Sequence, residues 1–315
     1  MKKFTSQEIE EFLSKPLFDE KVILNKDLSW PKISIVTPSY NQAQFLERTI
    51  LSVLNQNYPN LEYIIIDGGS TDGSVEIIKK YERYLAYWVS EKDEGQADAI
   101  NKGFSKSKGE ILAYINSDDI YNPRVFLKIA KAFNENPKAE LVFGNVNYID
   151  AYDNLVGGCR FTKFDFATLI YEGGNLHQPG AFWTRRIYDK IGGFNPNYKF
   201  CMDFDFFCRV AEKGNIVFVR DYFACFRIHK DAKSSISSWL NIASAEHEEI
   251  EKRYLPKNIS SLHLKYKRKL CQVRRFFLYI AQGDADYAMR GLAKRMQKIV
   301  YKKSKLYDKQ HTNTL

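Results

Sequence analysis

The sequence has few cysteines and no long apolar run. Its 315 residues include five cysteines, an odd number with no Cys-x-x-Cys pair, which argues against a disulfide framework and a structural zinc site. No apolar stretch approaches the roughly 18 to 20 residues that a membrane-spanning helix needs. The N-terminus passes from two lysines into Gln7 and Glu8 without an apolar core, so it does not resemble a secretory signal. These absences favour a protein of the reducing cytoplasm.

Common nucleotide-binding and nucleic-acid-binding motifs are missing as well. The Gly-rich segment 67–74 is not followed by Gly-Lys-Ser or Gly-Lys-Thr, which excludes a phosphate loop, and it lacks the G-x-G-x-x-G fingerprint. No RNP, zinc-finger or KH signature is present. A nucleic-acid-binding protein, which the basic pI would allow, therefore stays a minor alternative, and we expect no nucleic-acid partner.

The composition supports a large core and shows an uneven excess of positive charge. Hydrophobic residues make up 44% of the chain and aromatic residues 15%, which is not typical of a disordered chain. The net charge of +9 is concentrated after residue 264, where few acids oppose the lysines and arginines. Such an excess of positive charge is typical of proteins that bind phosphate-rich ligands, nucleic acid or an anionic membrane surface.

The hydrophobic pattern alternates between short buried strands and amphipathic helices. Strands are expected at 33–37 (ended by Pro38), 63–66, 87–89, 111–115 and 141–143, and helices at 43–56, from 74, at 96–104 and at 203–212. This alternation predicts an α/β fold with a mixed, mainly parallel sheet flanked by helices. Because parallel sheets bind ligands at the carboxyl ends of their strands, the polar segments 37–41, 67–72 and 116–119 are expected at one rim.

Two of these segments have both a functional and a structural interpretation. Asp118 and Asp119 at a strand end suit a divalent cation that also takes diphosphate oxygens, but they could equally be a helix cap and a solvated acid. The glycines of 67–74 allow a ligand to approach the backbone closely, but they also suit a plain strand-to-helix turn.

An ordered set of segments resembles the family 2 glycosyltransferases over about residues 32–230. The segments are Ile35-Val36-Thr37-Pro38-Ser39-Tyr40-Asn41, Ser52-Val53-Leu54-Asn55-Gln56, Ile66-Asp67-Gly68-Gly69-Ser70-Thr71-Asp72-Gly73, Glu94-Gly95-Gln96-Ala97-Asp98-Ala99-Ile100-Asn101-Lys102-Gly103 and Asn116-Ser117-Asp118-Asp119. The resemblance implies the GT-A (Rossmann-like) fold, an inverting sugar transfer of the hexosyltransferase type from a nucleotide-diphosphate donor, and a need for Mg2+ or Mn2+.

The resemblance also implies an organisation of the chain. We expect a helical lead-in at 1–30 and a GT-A catalytic domain at 31–235. Its nucleotide-binding half would span 31–120 and its acceptor half 121–235. A basic helical C-terminal extension would occupy 236–315.

Roles at the donor site carry over by position. Thr37, Pro38 and Tyr40 are expected against the base and ribose, and Asp67 on the base, which favours uracil and hence a UDP-sugar. Asp98 is expected to face the donor, with a structural cap as the alternative. Asp118 and Asp119 resemble the acidic metal motif, the last acid touching the metal and the earlier one the ribose or metal. Asn116 stands where many members have a further Asp, which weakens the ribose contact.

Roles at the acceptor site follow in the same way. Asp203 is identified as the catalytic base by motif alignment, with Asp205 as the rival, because a direct displacement needs a carboxylate beside the acceptor hydroxyl. His177 and Gln178 resemble the segment beneath the acceptor, although such residues are often structural. His229 is expected near the metal and Lys233 near the diphosphate, the alternative being a solvated basic loop.

The C-terminal helices interleave basic and apolar residues. They could lie on an anionic membrane surface, or they could cap the core with a solvated basic face. We therefore expect a cytoplasmic enzyme, peripheral at the inner face of the membrane under the first interpretation. Its acceptor would be a glycan or glycolipid in bacterial surface polysaccharide or glycolipid assembly. The main alternative is an inactive nucleotide-sugar-binding module, which the joint presence of Asp118, Asp119 and Asp203 argues against.

Overall fold

A computed structural model describes residues 4–174 and 176–293, apart from the side chains of Ser237 and Ser238. The helices there are α1 (Ser6–Leu13), α2 (Glu20–Asn25), α3 (Ala43–Leu54), α4 (Ser74–Tyr81), α5 (Gln96–Lys106), α6 (Val125–Glu135), α7 (Phe166–Glu172), α8 (Arg185–Ile191), α9 (Met202–Lys213), α10 (Ser237–Tyr254) and α11 (Ser261–Ala281). Residues 285–293 are also helical.

The strands form one mixed sheet, as the sequence predicted. They are β1 (Ile33–Ser39), β2 (Leu61–Asp67), β3 (Tyr87–Ser90), β4 (Ile111–Tyr114), β5 (Ile120–Tyr121), β6 (Ala139–Ile149), β7 (Leu155–Cys159), β8 (Ala181–Thr184) and β9 (Asn215–Arg227). Their order is β3-β2-β1-β4-β8-β6-β9-β5, with β7 beside β6. The pairs among β1 to β4 are parallel, whereas β8 and β5 join their neighbours antiparallel.

The core lies on both faces of this sheet because side chains of a strand alternate between faces. Ile33 and Ile35 of β1 pack with α1, α3 and α6, whereas Val36 packs with α5 and α9 on the other side. Ile64 and Ile65 of β2 divide in the same way. Helices therefore cover both faces, which explains why these strands read as continuous apolar runs.

Strand β1 is longer than predicted, since it continues through Pro38 to Ser39. Pro38 has a register partner, Ile66, on β2, but the pairing with β4 ends at Val36. Pro38 thus has a strand neighbour on one side only, a position that tolerates the missing N–H.

The N-terminal segment, where a helical lead-in was expected, contains the two short helices α1 and α2. Thr5 caps α1 through a reciprocal arrangement with Glu8 in which each side chain accepts from the other residue's backbone N–H. The buried side chains Ile9 and Leu13 join the core on the α3 face. The lead-in is therefore packed onto the sheet domain.

The helices after β9 also pack onto the domain. Ile250 of α10 is fully buried in the cluster that includes α5 and α9, and α11 lies along α7. Among the helices described, none is long and apolar enough to cross a membrane. The remainder of the predicted basic extension, 294–315, lies outside the described residues.

Candidate active site

A cleft of about 580 Å3 opens at the carboxyl edge of the parallel strands. The ends of β1 and β4, the first turns of α5 and α9, and the segment between β9 and α10 surround it. The predicted site residues that line it are Pro38, Tyr40, Asp118, His177, Gln178, Asp203 and Lys233. The predicted site residues that are not among its lining residues are Thr37, Asp67, Asp98, Asp119 and His229.

The two adjacent acids after β4 have different surroundings. Asp118 lines the cleft, and 20% of its side chain is exposed. Asp119 is fully buried, and its Oδ1 accepts a hydrogen bond of 2.8 Å from the N–H of Arg227. Burial, followed by the neighbouring Asp118 charge, raises the pKa of Asp119 well above its usual range. Asp119 therefore anchors the end of β9, and Asp118 is the one of the two acids that lines the cleft.

Arg227 fixes the position of Asp118. Its buried guanidinium donates from Nε to the carbonyl oxygen of Asp118 at 2.7 Å and from Nη1 to that of Asp150 at 3.0 Å. An ion pair of 2.6 Å with Asp153 compensates the buried charge. The sequence pattern assigned no role to Arg227.

Asp118 and His229 form the pair most suited to a divalent cation. His229 Nε2 lies 3.0 Å from Asp118 Oδ2, and the ring packs against Phe45 with centroids 4.7 Å apart. Two ligands on adjacent corners of an octahedral ion, each about 2.1 Å from it, are about 3.0 Å apart. The buried Nδ1 of His229 has no hydrogen-bond partner among the described residues.

No group of three or more His, Cys, Asp or Glu in the described part of the chain is arranged to hold a metal. Two protein ligands are nevertheless typical where the remaining oxygens come from water and substrate phosphates. The residues present therefore fit a cation that binds together with a diphosphate.

Two of the residues predicted to contact the base already have hydrogen-bond partners within the protein. The Asp67 carboxylate accepts from the N–H groups of Gly69 and Ser70 and from the hydroxyls of Ser70 and Ser90, at 2.6 to 3.1 Å. These four bonds use the lone-pair sites of a carboxylate. The Thr37 hydroxyl is buried 3.1 Å from that of Tyr63. Neither residue is among those that line the cleft.

Pro38 and Tyr40 stay available to a ligand. Both line the cleft, and Tyr40 is 63% exposed, an unusual position for a large aromatic ring. A flat exposed ring beside a cleft offers a surface on which a base can stack.

Asp98 has the structural position that was its alternative. Its Oδ2 accepts a hydrogen bond of 3.2 Å from the N–H of Glu94, which closes the turn before α5. Gln96, two residues earlier and lining the cleft, donates from Nε2 to Asn116 Oδ1 at 2.6 Å. Asn116, which stands where a further acid was expected, therefore holds the Gln96 side chain at the rim of the cleft.

Asp203 and Asp205 in the first turn of α9 are also separated by their surroundings. Asp203 lines the cleft, and burial raises the pKa of its carboxyl to about 6. Asp205 is 1% exposed and is bound by Arg209 at 2.8 Å and Arg253 at 2.5 Å. Because Asp205 is held in an ion-pair network, Asp203 is the carboxylate that a substrate can reach.

His177 and Gln178 lie on the floor of the cleft. Gln178 is buried and donates from Nε2 to the carbonyl oxygen of Tyr114 at 2.7 Å. Burial lowers the pKa of His177 to about 4, so the imidazole is neutral at pH 7. Its ring packs against Phe226 with centroids 5.1 Å apart, and its Nδ1 has no hydrogen-bond partner among the described residues.

Lys233 bridges the open side of the cleft. Its Nζ donates to Gln96 Oε1 at 3.3 Å and to the carbonyl oxygen of Lys199 at 3.2 Å, and it lies 4.9 Å from the Trp239 ring centroid. More than a third of the residue's surface is exposed, but protein atoms enclose the ammonium, and this desolvation lowers its pKa. A positive charge therefore faces the space that a diphosphate would fill.

Glu246 of α10 is a site residue that the sequence analysis missed. Its carboxylate accepts from the N–H groups of Lys199, Phe200 and Cys201 at 2.7, 2.9 and 2.8 Å. These three amides lie immediately before the helix that carries Asp203. No motif surrounds Glu246 in the sequence, so only the packing of α10 reveals it.

Comparisons with known proteins agree with this architecture. The Glycosyl transferase family 2 profile matches residues 34–209, more than half of the chain. A glycosyltransferase of Nostoc sp. is 28% identical over 211 residues, covering 63% of this chain. The present chain spans 65% of that relative, just under two thirds of its length.

Two solved structures share the fold. TarS 1–349 of S. aureus in complex with UDP-GlcNAc has a TM-score of 0.58 at 18% identity, covering 75% of this chain and 70% of its own. Mannosyltransferase PcManGT from Pyrobaculum calidifontis, in complex with GDP-Man and Mn2+, has a TM-score of 0.55 at 17% identity, covering 96% and 86%. The predicted GT-A fold is confirmed, and the chain belongs to glycosyltransferase family 2.

Proposed function

We propose that this glycosyltransferase moves one sugar from a nucleotide-diphosphate donor to an acceptor hydroxyl with inversion at the anomeric carbon. The observation that carries the proposal is the arrangement of Asp203 and Asp118 on the walls of the same cleft. One is an isolated carboxyl with a raised pKa of about 6, and the other is paired with an imidazole. These are the groups that a single in-line displacement requires.

Asp203 would act as the general base. The acceptor oxygen forms a bond to the anomeric carbon while the bond from that carbon to the diphosphate oxygen breaks. The acceptor proton passes to Asp203, and the electron pair of the broken bond leaves with the diphosphate. A base with a pKa of about 6 is ionised at pH 7 and holds a proton better than an ordinary carboxylate.

Asp118 and His229 would hold a divalent cation, Mn2+ or Mg2+, together with oxygens of the donor. Such a cation, when bound, neutralises charge that develops on the leaving diphosphate. Lys233, which also lines the cleft, would add a positive charge. The 3.0 Å spacing of the Asp118 and His229 ligand atoms supports this assignment.

The base of the donor would stack on Tyr40 beside Pro38. We favour a UDP-sugar from the sequence resemblance. TarS, which shares the fold, has been crystallised with UDP-GlcNAc, whereas PcManGT has been crystallised with GDP-Man. Both support a nucleotide-diphosphate sugar.

The acceptor would enter above His177 and Gln178, opposite the donor. The His177 imidazole, which is neutral at pH 7, lines this part of the cleft and would contact the acceptor without adding a charge. We propose a glycan or glycolipid acceptor, with the enzyme acting in surface polysaccharide or glycolipid assembly at the cytoplasmic side of a membrane.

A thermal-shift screen of the full chain tests the donor site. UDP, GDP, CMP and their sugars are compared, each with Mn2+ or with EDTA. A ligand that binds only the folded state stabilises it in proportion to the logarithm of its concentration over Kd. We expect one nucleotide to raise the Tm only when metal is present.

Two variants make the screen specific. Asp118→Ala should abolish the metal-dependent part of the shift, whereas Asp203→Asn should retain it. A nucleotide shift that is identical with EDTA, or that survives unchanged in Asp118→Ala, would contradict the metal assignment.

A further inference from the structure

One face of α11 carries a row of exposed apolar side chains. Six apolar side chains on this 21-residue helix are exposed, with fractional exposures between 42% and 76%. They are Leu262, Tyr266, Leu270, Val273, Phe277 and Ile280. Their spacing of three or four residues places them on one side of the helix, and we call them the α11 stripe.

The orientation of the stripe is fixed by the opposite face of α11. Arg268 donates from Nε to the carbonyl oxygen of Tyr171 at 2.9 Å, and the Tyr279 hydroxyl donates to the carbonyl oxygen of Arg160 at 2.6 Å. Cys271, between them, is buried. The helix is therefore anchored along its inner side, and the stripe faces outward as a consequence of the fold.

The stripe is too long to be an incidental patch. Its ends are 18 residues apart, which corresponds to about 27 Å of helix at about 1.5 Å per residue. Isolated exposed apolar side chains are common on protein surfaces, but a continuous row of this length is typical of an interaction surface. Such a row is suited to contact with an apolar surface.

The charged side chains of α11 itself are all of one sign. Helix α11 contains no Asp or Glu, and at 3.6 residues per turn Lys265 and Lys269 fall on one side of the stripe, with Lys267 and Arg274 on the other. Arg274 is paired with Asp165 at 2.8 Å. The three lysines form no ion pair with any residue that the structure describes.

These charges distinguish between the possible occupants. Two copies of α11 meeting along their stripes would bring lysine against lysine at the positions that flank a helix–helix seam, where opposite charges are needed. An anionic lipid surface, in contrast, accepts apolar side chains between its acyl chains and attracts the flanking lysines to its headgroups. Charge complementarity therefore favours the lipid surface.

We propose that the α11 stripe docks the protein onto an anionic lipid bilayer, with Lys265, Lys267 and Lys269 at the level of the headgroups. The location of the enzyme at a membrane rests on the proposed function. The present proposal names the surface of the protein that would contact that membrane. Vesicle binding requires neither donor nor sugar transfer, so failure of the docking surface and failure of the proposed chemistry are distinguishable.

Co-sedimentation of the full chain with vesicles tests the proposal. The vesicles consist of phosphatidylcholine alone or of phosphatidylcholine mixed with phosphatidylglycerol, at low and at high salt. We expect sedimentation with the anionic vesicles at low salt, weaker binding at high salt, and little binding to phosphatidylcholine alone. Absence of binding to anionic vesicles at low salt would overturn the proposal.

Two sets of variants assign the surface. Leu270→Gln combined with Phe277→Gln should reduce vesicle partitioning at least tenfold, and Lys265→Gln combined with Lys269→Gln should remove the preference for anionic lipid. The matched control combines Leu28→Gln and Leu127→Gln, which are also exposed apolar residues but belong to the segment before β1 and to α6. Partitioning that falls equally in this control would contradict the assignment to the stripe.

Two further measurements separate docking through the stripe from binding through another face and from dimerisation. In Phe277→Trp, brominated lipid should quench the added fluorescence, which a protein bound by another face would not show. Light scattering should find the same mass for the wild type and for the Leu270→Gln, Phe277→Gln variant without lipid. A wild-type dimer that dissociates in this variant would assign the stripe to a second copy and overturn the lipid proposal.

Discussion

At the scale of the residue, the site contains two pairs of neighbouring acids whose members have different surroundings. Asp203 and Asp205 are two residues apart in one helix, yet one has no cationic partner close enough to lower its pKa and the other lies between two arginines. Asp118 and Asp119 are adjacent, yet one lines the cleft and the other is buried. Carboxylates with different environments can take different roles in one reaction.

Replacing Asp203 by Asn tests the role of the base. Loss of a general base costs about 100- to 10,000-fold in rate, so we expect transfer to fall at least 100-fold in Asp203→Asn, with donor binding unchanged. In the wild type, kcat/KM should decrease as the pH falls through about 6, because the carboxyl becomes protonated. Near-normal turnover in Asp203→Asn would show that the base lies elsewhere.

The same variant has a stability signature with a defined sign. The folded pKa of Asp203, about 6, lies above the value of about 3.9 expected in the unfolded chain, so the folded state holds its proton more tightly. Any stability from this group is present at low pH and is lost as the pH rises through 6. Asp203→Asn should therefore raise Tm at pH 7.5 but leave it unchanged at pH 3.5, as measured by differential scanning fluorimetry.

At the scale of the element, α10 acts as a clamp on the start of α9. Glu246 accepts three backbone N–H groups of the segment before α9, and the His247 ring stacks on Phe204 with centroids 4.3 Å apart. Both contacts flank Asp203. Since α10 lies beyond the segment that matches the family profile, the position of the base depends on a part of the chain that the profile does not include.

Removing the Glu246 carboxylate should disturb the base without removing it. Glu246→Ala leaves three amides unpaired, so we expect kcat to fall about 10-fold and the midpoint of the pH profile to move, while KM for the donor changes little. Glu246→Gln, which keeps one acceptor oxygen, should restore part of the activity. Glu248→Ala, on the exposed side of the same helix, is the matched control. An unchanged pH profile in Glu246→Ala would limit Glu246 to a structural role.

The sequence predicted most elements but not all of their contacts. Buried apolar runs located β1, β2 and β4, and the rule that ligands bind at carboxyl ends located the cleft. The last hydrogen bond to the Asp67 carboxylate comes from Ser90 on β3. Asp119 is buried because β9 donates a backbone N–H to it and pairs with β5, which begins at the residue after Asp119. Such contacts between distant segments follow no local periodicity and are visible only in the folded chain.

At the scale of the whole molecule, the helices at both ends belong to the core of the sheet domain. Helix α1 packs on the α3 side, and α10 contributes Ile250 to the opposite cluster. The basic C-terminal helices were expected as an extension that either caps the core or meets a membrane. The two interpretations are compatible, because α10 packs against the core whereas the exposed face of α11 is available to a membrane.

If α10 is part of one cooperative unit, weakening it should weaken the whole domain. Ile250 is fully buried, and truncation of such a side chain to Ala costs about 2 to 5 kcal/mol. We expect Ile250→Ala to lower the free energy of unfolding by that amount in urea titrations, with far-UV and near-UV circular dichroism changing together. Ile242→Ala on the exposed face should shift the free energy of unfolding by less than about 0.5 kcal/mol. A far-UV transition that precedes the near-UV transition would instead mean that α10 detaches first, and that the clamp on Asp203 can open while the sheet remains folded.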